Sequence, residues 1–524
     1  MAIKVVLLLV FFSVMVGIGL YCRRHATDVS GFVLGGRSVG PWLTAFAYGT
    51  SYFSAVVFVG YAGQFGWKYG VAATWAGIGN AVLGSLLAWA VLGRRTRIMT
   101  QHLNSATMPE FFGKRFGSRS LKLAASAIIF VFLIPYTASL YNGLSRLFGM
   151  AFDIDYTVCV VVMAVLTGVY VIAGGYMATA INDFIQGVIM LFGICAVIAA
   201  VLHSQGGFLA ALEGLARIPA EAGAGPVAGA PGVFASFFGP DPVNLLGVVI
   251  LTSLGTWGLP QMVQKFYAIK SESAINKGMI ISTVFALVVS GGCYFLGGFG
   301  RLFSAQLDPS GTGTPAGGFD AVVPTMLSGL PDILIAIVVI LVLSASMSTL
   351  SSLVLASSST LTLDFLKDTV LKGMGEKKQV RVMQGLIVVF IAVSVVLAIV
   401  QYRQNVTFIA QLMGVSWGAL AGAFLAPFLY GLYWKRTTQA ACWASFLFST
   451  AVMVANIFVR SSFPALIQSP INCGAFCMIA GLVIVPAVSL FTARPDGRLV
   501  DGAFSCYERR VTVRQSEALG EQAD

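Results

Sequence analysis

Two stretches decide how this chain folds: Tyr48-Gly49-Thr50-Ser51-Tyr52-Phe53-Ser54 and Gly255-Thr256-Trp257-Gly258-Leu259-Pro260-Gln261. Each interrupts an otherwise apolar run, about 41–66 for the first and 240–266 for the second. Glycine flanked by small polar residues, or followed by proline, is what a helix needs in order to unwind. Backbone at membrane depth must satisfy its own hydrogen bonds, so an unwound segment is tolerated there only beside a cavity. A simple kink with packing glycines would also explain either stretch alone.

The setting is a membrane. Of 524 residues, 57% are apolar and only 10% charged, and the mean hydropathy is +0.86. A soluble domain carries about 25% charged residues, and one of this length lacks polar surface to cover so much apolar area. Disorder is excluded on the same grounds. A spanning helix needs roughly 20 mostly apolar residues. Thirteen such runs are present, at about 2–22, 41–66, 71–93, 121–149, 156–174, 181–203, 240–266, 276–300, 332–363, 380–401, 406–433, 438–459 and 471–491. The first is too long for a leader peptide and is followed by Arg23-Arg24 without a small-residue cleavage site.

Lysines and arginines in the connections set the orientation. One side has only Lys4, Lys68, Arg217, Arg301, Arg403 and Arg460; nearly all of the other basic residues, Lys265 and Lys270 among them, fall on the opposite side. The expectation is an N-terminus outside and a C-terminus in the cytoplasm. The net charge of +11 is then a topology signal and calls for no nucleic acid. The chain divides into 1–39 (first span and loop), 40–204 (spans two to six), 205–239 (a Gly/Ala/Pro-rich outer loop), 240–434 (spans seven to eleven), 435–491 (spans twelve and thirteen) and 492–524 (a short polar tail). Each interrupted stretch opens a block of five spans. Five is odd, so the blocks are inverted relative to each other, and paired broken helices opening inverted halves indicate a transporter with its site near the midplane.

Two further features carry chemistry. In the ninth span, Ala345, Ser348, Thr349 and Ser352 are spaced i, i+3, i+4, i+7 and share one helix face. Their hydroxyls offer neutral oxygens to a small hard cation, or else serve helix packing. Asp183 lies at the start of the sixth span. An acid at that depth is a functional candidate, its alternative being an interfacial N-cap. Eight scattered cysteines and three distant histidines supply no metal-ligand spacing, and no HExxH motif or cluster of acids marks an enzyme.

Four local patterns, taken with the thirteen spans, resemble the sodium:solute symporter family. They are Phe32-Val33-Leu34-Gly35-Gly36-Arg37, Thr107-Met108-Pro109-Glu110-Phe111, Gly174-Gly175-Tyr176 through Asp183, and Met347-Ser348-Thr349-Leu350-Ser351. That family includes bacterial proline, pantothenate and sialic acid symporters and the sodium/glucose cotransporters, and the resemblance covers roughly residues 1–492. It implies an all-α polytopic membrane protein with the LeuT-like five-plus-five inverted repeat. Carried over motif by motif, it implies a main sodium site from the carbonyls of Thr50, Phe53 and Ala345 and the hydroxyls of Ser348 and Thr349. A second sodium site would use Asp183, Ser348, Ser351 and Ser352. Solute would lie by Ser51, Tyr52, Ser54, Trp257 and Gln261. Proline symporters carry an Asp where this chain has Tyr52, and sialic acid symporters hold their substrate with an Arg that the fourth span offers only as Arg146, near its outer end. Neither solute is therefore carried over.

The reading is a sodium-coupled symporter that imports a small organic solute, an amino acid or monocarboxylate, across a cytoplasmic (inner) membrane. It is expected to work as a monomer embedded in lipid, with Na+ as coupling ion. A proton-coupled carrier in which Asp183 titrates, or a sensor of the same fold, remains the alternative.

Overall fold

The computed structural model describes residues 2–152, 155–370, 372–404 and 409–508. The start of the eleventh apolar run and the end of the polar tail lie outside the described residues. Among the described residues the architecture is helical, and extended pairing is limited to one parallel bridge between Val39 and Ile269. Among the described residues nine helices are long and apolar enough to cross a bilayer, and a bent pair, Pro242–Gly258 with Pro260–Ala268, makes a tenth.

Two of the nine are long enough for two crossings. Val56–His102 runs for 47 residues and Tyr156–Ser204 for 49, more than twice the roughly 20 that a bilayer core needs. Each contains a turn at a glycine of positive φ, Gly70 at 61° and Gly175 at 55°. At Gly175 a Cβ would also come within 2.9 Å of the Phe32 carbonyl oxygen, so a side chain is excluded by space as well as by backbone. Helix resumes at Tyr176, earlier than the sequence pattern places it. Asp183 consequently lies about two turns inside the helix and is fully buried. Its reading as an interfacial N-cap is overturned.

Loop contacts sort into two sets. On the basic side, Arg94 pairs with Glu272, Arg97 donates to the Ile269 carbonyl, Arg115 to that of Gly431, and Lys435 pairs with Asp501. On the other, Arg301 grips Glu221 with both terminal nitrogens, Trp67 donates to Gly313, and the Ile409 amide meets Asp320. This partition follows the alternation of the apolar runs. It also shows that several basic residues hold structure: Arg37 donates to the carbonyls of Tyr267 at 3.1 Å and Ser105 at 2.6 Å. The Thr107–Glu110 spacing does start a helix, Met108–Phe116, with Thr107 Oγ1 accepting from the Glu110 amide at 3.2 Å. The reciprocal bond is shifted by one residue, from the Ala106 amide to Glu110. Valines 158, 161, 165, 388 and 396 face outward, the exposed apolar surface that a bilayer covers.

Candidate functional site

Both interrupted stretches are broken helices, and their backbones match. Pro41–Tyr52 ends at Phe53, which is extended (φ −87°, ψ 117°). Pro242–Gly258 ends at Leu259, also extended (φ −78°, ψ 125°). Past the first break the chain resumes as a π-helical turn, Val56–Tyr61. Past the second it resumes as Pro260–Ala268, bent 46° from the preceding helix. Pro260 explains the second break, because proline drives the residue before it out of the helical region.

The first break has no proline. It faces the 29-residue helix Asp332–Thr360, in which every residue from Leu341 onward is buried. Ser348 Oγ donates to the Thr50 carbonyl at 3.1 Å. Thr349 Oγ1 is 3.1 Å from the same oxygen and 3.3 Å from the Phe53 carbonyl. Both hydroxyls also lie 3.0 Å from the Ala345 carbonyl of their own helix. Five neutral oxygens, from Thr50, Phe53, Ala345, Ser348 and Thr349, therefore converge where the helix is unwound. Carbonyl groups freed by the break find partners in a neighbouring helix instead of their own.

Residues expected near the solute divide. Ser51 donates to the Ala47 carbonyl and shares a 2.9 Å hydrogen bond with Ser352. Ser54 Oγ and both amide atoms of Gln261 are buried without a hydrogen bond among the described residues. The side chain of Tyr52 lies outside the described residues. The indole of Trp257 donates to the Leu83 carbonyl at 2.8 Å and joins two helices. A different aromatic pair connects the breaks. Trp417 packs on Gly255, where a Cβ would fall 2.5 Å from its ring. Tyr136 meets Trp417 edge to face at 5.9 Å and has Ser54 as a polar neighbour. Neither the Tyr136 hydroxyl nor the Trp417 indole nitrogen has a well-directed hydrogen bond among the described residues. Sequence reading passed over both, since an aromatic within an apolar helix looks like core.

The acid has a partner that the charge pattern concealed. Lys265 counted as a loop residue, but it belongs to Pro260–Ala268 and is 1% exposed. Its ammonium lies 3.8 Å from Asp183 Oδ2 and donates to Ser352 Oγ at 3.1 Å. Ser351 donates to the Ser348 carbonyl of its own helix. Of the four residues expected around a second sodium, Asp183 and Ser352 thus meet at Lys265. The available signal was the spacing of Gln261, Gln264 and Lys265, which puts three polar residues on one face of a short buried helix.

The profile of the sodium:solute symporter family matches residues 32–447. A sodium/proline symporter of Staphylococcus aureus (strain JH9) is 29% identical over 472 residues, covering 86% of this chain and 85% of that protein. A Na+-coupled sialic acid symporter, solved in a substrate-bound outward-open state, superposes with a TM-score of 0.73 at 16% identity, covering 94% of this chain and 98% of the other. The matched region contains both broken helices, the hydroxyl-bearing helix that joins them and the buried Lys265–Asp183 pair, and the chain belongs to the sodium:solute symporter family.

Proposed function

We propose that the protein is a sodium-coupled secondary symporter that imports a small organic solute, an amino acid or monocarboxylate, across a cytoplasmic membrane by alternating access. The observation that carries this reading is the convergence of five oxygens at the first break. Hard cations take oxygen ligands, and neutral ones suffice for a monovalent ion. The hydroxyls of Ser348 and Thr349 now point their hydrogens at carbonyls. Rotating about their C–O bonds, they would turn lone pairs toward a sodium bound among the same five atoms.

A bound sodium would thereby replace two hydrogen-bond donors as the agent holding the break open. Population shift follows: sodium favours the conformation in which the break is formed, solute binds that conformation better, and the coupling is reciprocal. The solute lies, in this reading, between the breaks, where Ser54, Gln261, Tyr136 and Trp417 present neutral polar atoms. Both amide atoms of the buried Gln261 lack a hydrogen bond among the described residues, which is costly, and a bound solute would relieve that cost. The thirteen-span, N-out topology with two inverted five-span blocks, and action as a monomer, belong to the same proposal. The two-sided sorting of loop contacts supports the alternation of spans.

The energetics are sufficient. A sodium entering down roughly 100 mV releases about 2.3 kcal/mol, and a tenfold gradient adds about 1.4 kcal/mol. One ion then supports accumulation on the order of several hundredfold, and two on the order of 10⁵. Uptake of a labelled panel of amino acids and monocarboxylates into proteoliposomes tests the reading. Uptake that requires an inward sodium gradient is the expected result. Uptake driven by a proton gradient in sodium-free buffer would replace the proposal with a proton-coupled carrier.

A further inference from the structure

We infer that Lys265 is a built-in cation that takes the place of a second sodium, so that the carrier binds one sodium per cycle. The inference rests on the sodium-coupled reading above. Its observations lie at a separate cluster, which the main site does not use.

The ammonium of Lys265 sits among the groups that a second ion would need. Asp183 Oδ2 is 3.8 Å away and Ser352 Oγ 3.1 Å away, and the ring of Tyr176 lies 5.1 Å beneath it. Ser352 Oγ is in turn 2.9 Å from Ser51 Oγ, and Ser51 follows Thr50, whose carbonyl belongs to the main site. Lys265, Asp183, Ser352, Ser51 and Tyr176 are each no more than 2% exposed. Neither carboxylate oxygen of Asp183 has a hydrogen bond among the described residues, so Lys265 supplies its charge compensation.

The ligands that a further ion would need are already taken. The ammonium pairs with the carboxylate and donates to Ser352 Oγ, so a sodium added beside it would share its one charged ligand and meet a like charge at close range in an apolar interior. An ammonium also differs from sodium in what it can do. It is tethered to Pro260–Ala268, beyond the second break, and cannot leave to the cytoplasm. It carries three N–H donors where sodium would accept oxygen lone pairs; one donates to Ser352 Oγ, and the charge faces the Asp183 carboxylate. The pair therefore ties the second broken helix to the helix of Asp183, and through Ser352 and Ser51 to the first break, without drawing on the ion gradient. A carrier built this way accumulates solute on the order of several hundredfold and falls short of 10⁵, since only one sodium drives each cycle.

Equilibrium binding of radioactive sodium to the purified, solute-free protein tests this with the ion as the sole probe. The wild type is expected to bind one sodium per chain, and so is Lys265→Arg, which keeps the charge. Lys265→Met frees Asp183 and Ser352 and should bind two. Because an unpaired Asp183 could impair folding, the neutral double variant Lys265→Met/Asp183→Asn serves as a second measurement: it should bind one, with a main-site Kd within about threefold of wild type. Two sodium ions bound by the wild type would overturn the inference. So would a single sodium bound by a Lys265→Met protein whose main-site Kd is unchanged. No sodium bound by the wild type would instead overturn the sodium-coupled reading itself, an outcome distinct from the others.

Discussion

The two broken helices share a backbone conformation and differ in what maintains it. At Leu259 the cause is covalent: Pro260 follows, and the extended conformation would persist whatever packed against it. At Phe53 no residue of the stretch forbids helix. The break there is held by Ser348 and Thr349, which occupy the carbonyls of Thr50 and Phe53 from another helix. A conformation sustained by removable hydrogen bonds can be handed over to an ion, whereas one written into the covalent chain cannot. This is why the coupling ion is assigned to the first break, and why the second carries a fixed charge, Lys265, a few residues on.

The largest expected effect tests the handover directly. Ser348→Ala with Thr349→Ala removes both donors and two of the five oxygens, together with one buried methyl group. At about 1–1.5 kcal/mol per hydrogen bond, the sodium concentration for half-maximal uptake should rise on the order of a hundredfold, and each single change should account for about tenfold. Sodium dependence that stays at the wild-type value in the double variant would detach the ion from the first break.

Removing the covalent constraint should act on the other side of the comparison. Pro260→Ala permits helix at Leu259 and supplies an N–H there. Solute affinity is expected to fall about tenfold, the effect of losing roughly 1.4 kcal/mol of preorganisation, while the sodium Kd shifts less than about threefold. Equal losses in both would mean that the two breaks form one cooperative unit. A smaller effect distinguishes the aromatics. Trp417→Phe keeps an aromatic side chain at this position and deletes the indole N–H, so solute affinity should weaken several-fold, worth about 1 kcal/mol. The smallest effect belongs to Trp257→Phe, which loses one bond to Leu83: melting temperature drops by a few degrees, and solute affinity is unchanged. Reversed results for the two tryptophans would return Trp257 to the solute.

Much of this could be read from the chain. Long apolar runs, glycine and proline inside two of them, and a hydroxyl face at helical spacing are local patterns, and each has a physical meaning within one turn or one span. What escaped was pairing between distant segments. Lys265 looked like a loop charge because lysine next to a span end usually is one; only the fold brings it to Asp183. Tyr136 and Trp417 were invisible for the complementary reason, since nothing local separates an aromatic facing a cavity from one facing a neighbour helix. Gly175 belongs to a motif, but nothing local shows its positive φ, which moves the start of the sixth span and rules out a capping role for Asp183, or the close approach of Phe32 that excludes a side chain there.

The parallel bridge between Val39 and Ile269 has a mechanical consequence. The amide of Val39 meets the Ala268 carbonyl at 3.3 Å, and the Lys270 amide meets that of Val39 at 2.9 Å. Val39 stands two residues before the first broken helix begins, and Ile269 directly follows the second. The pair therefore links the segment entering the first broken helix to the segment leaving the second by two backbone hydrogen bonds, so in the proposed transport cycle a swing of one would load the other. If the proposed alternating access moves the two broken helices together, a crosslink across the bridge would leave uptake intact, while one from the bridge to the surrounding helices would arrest it.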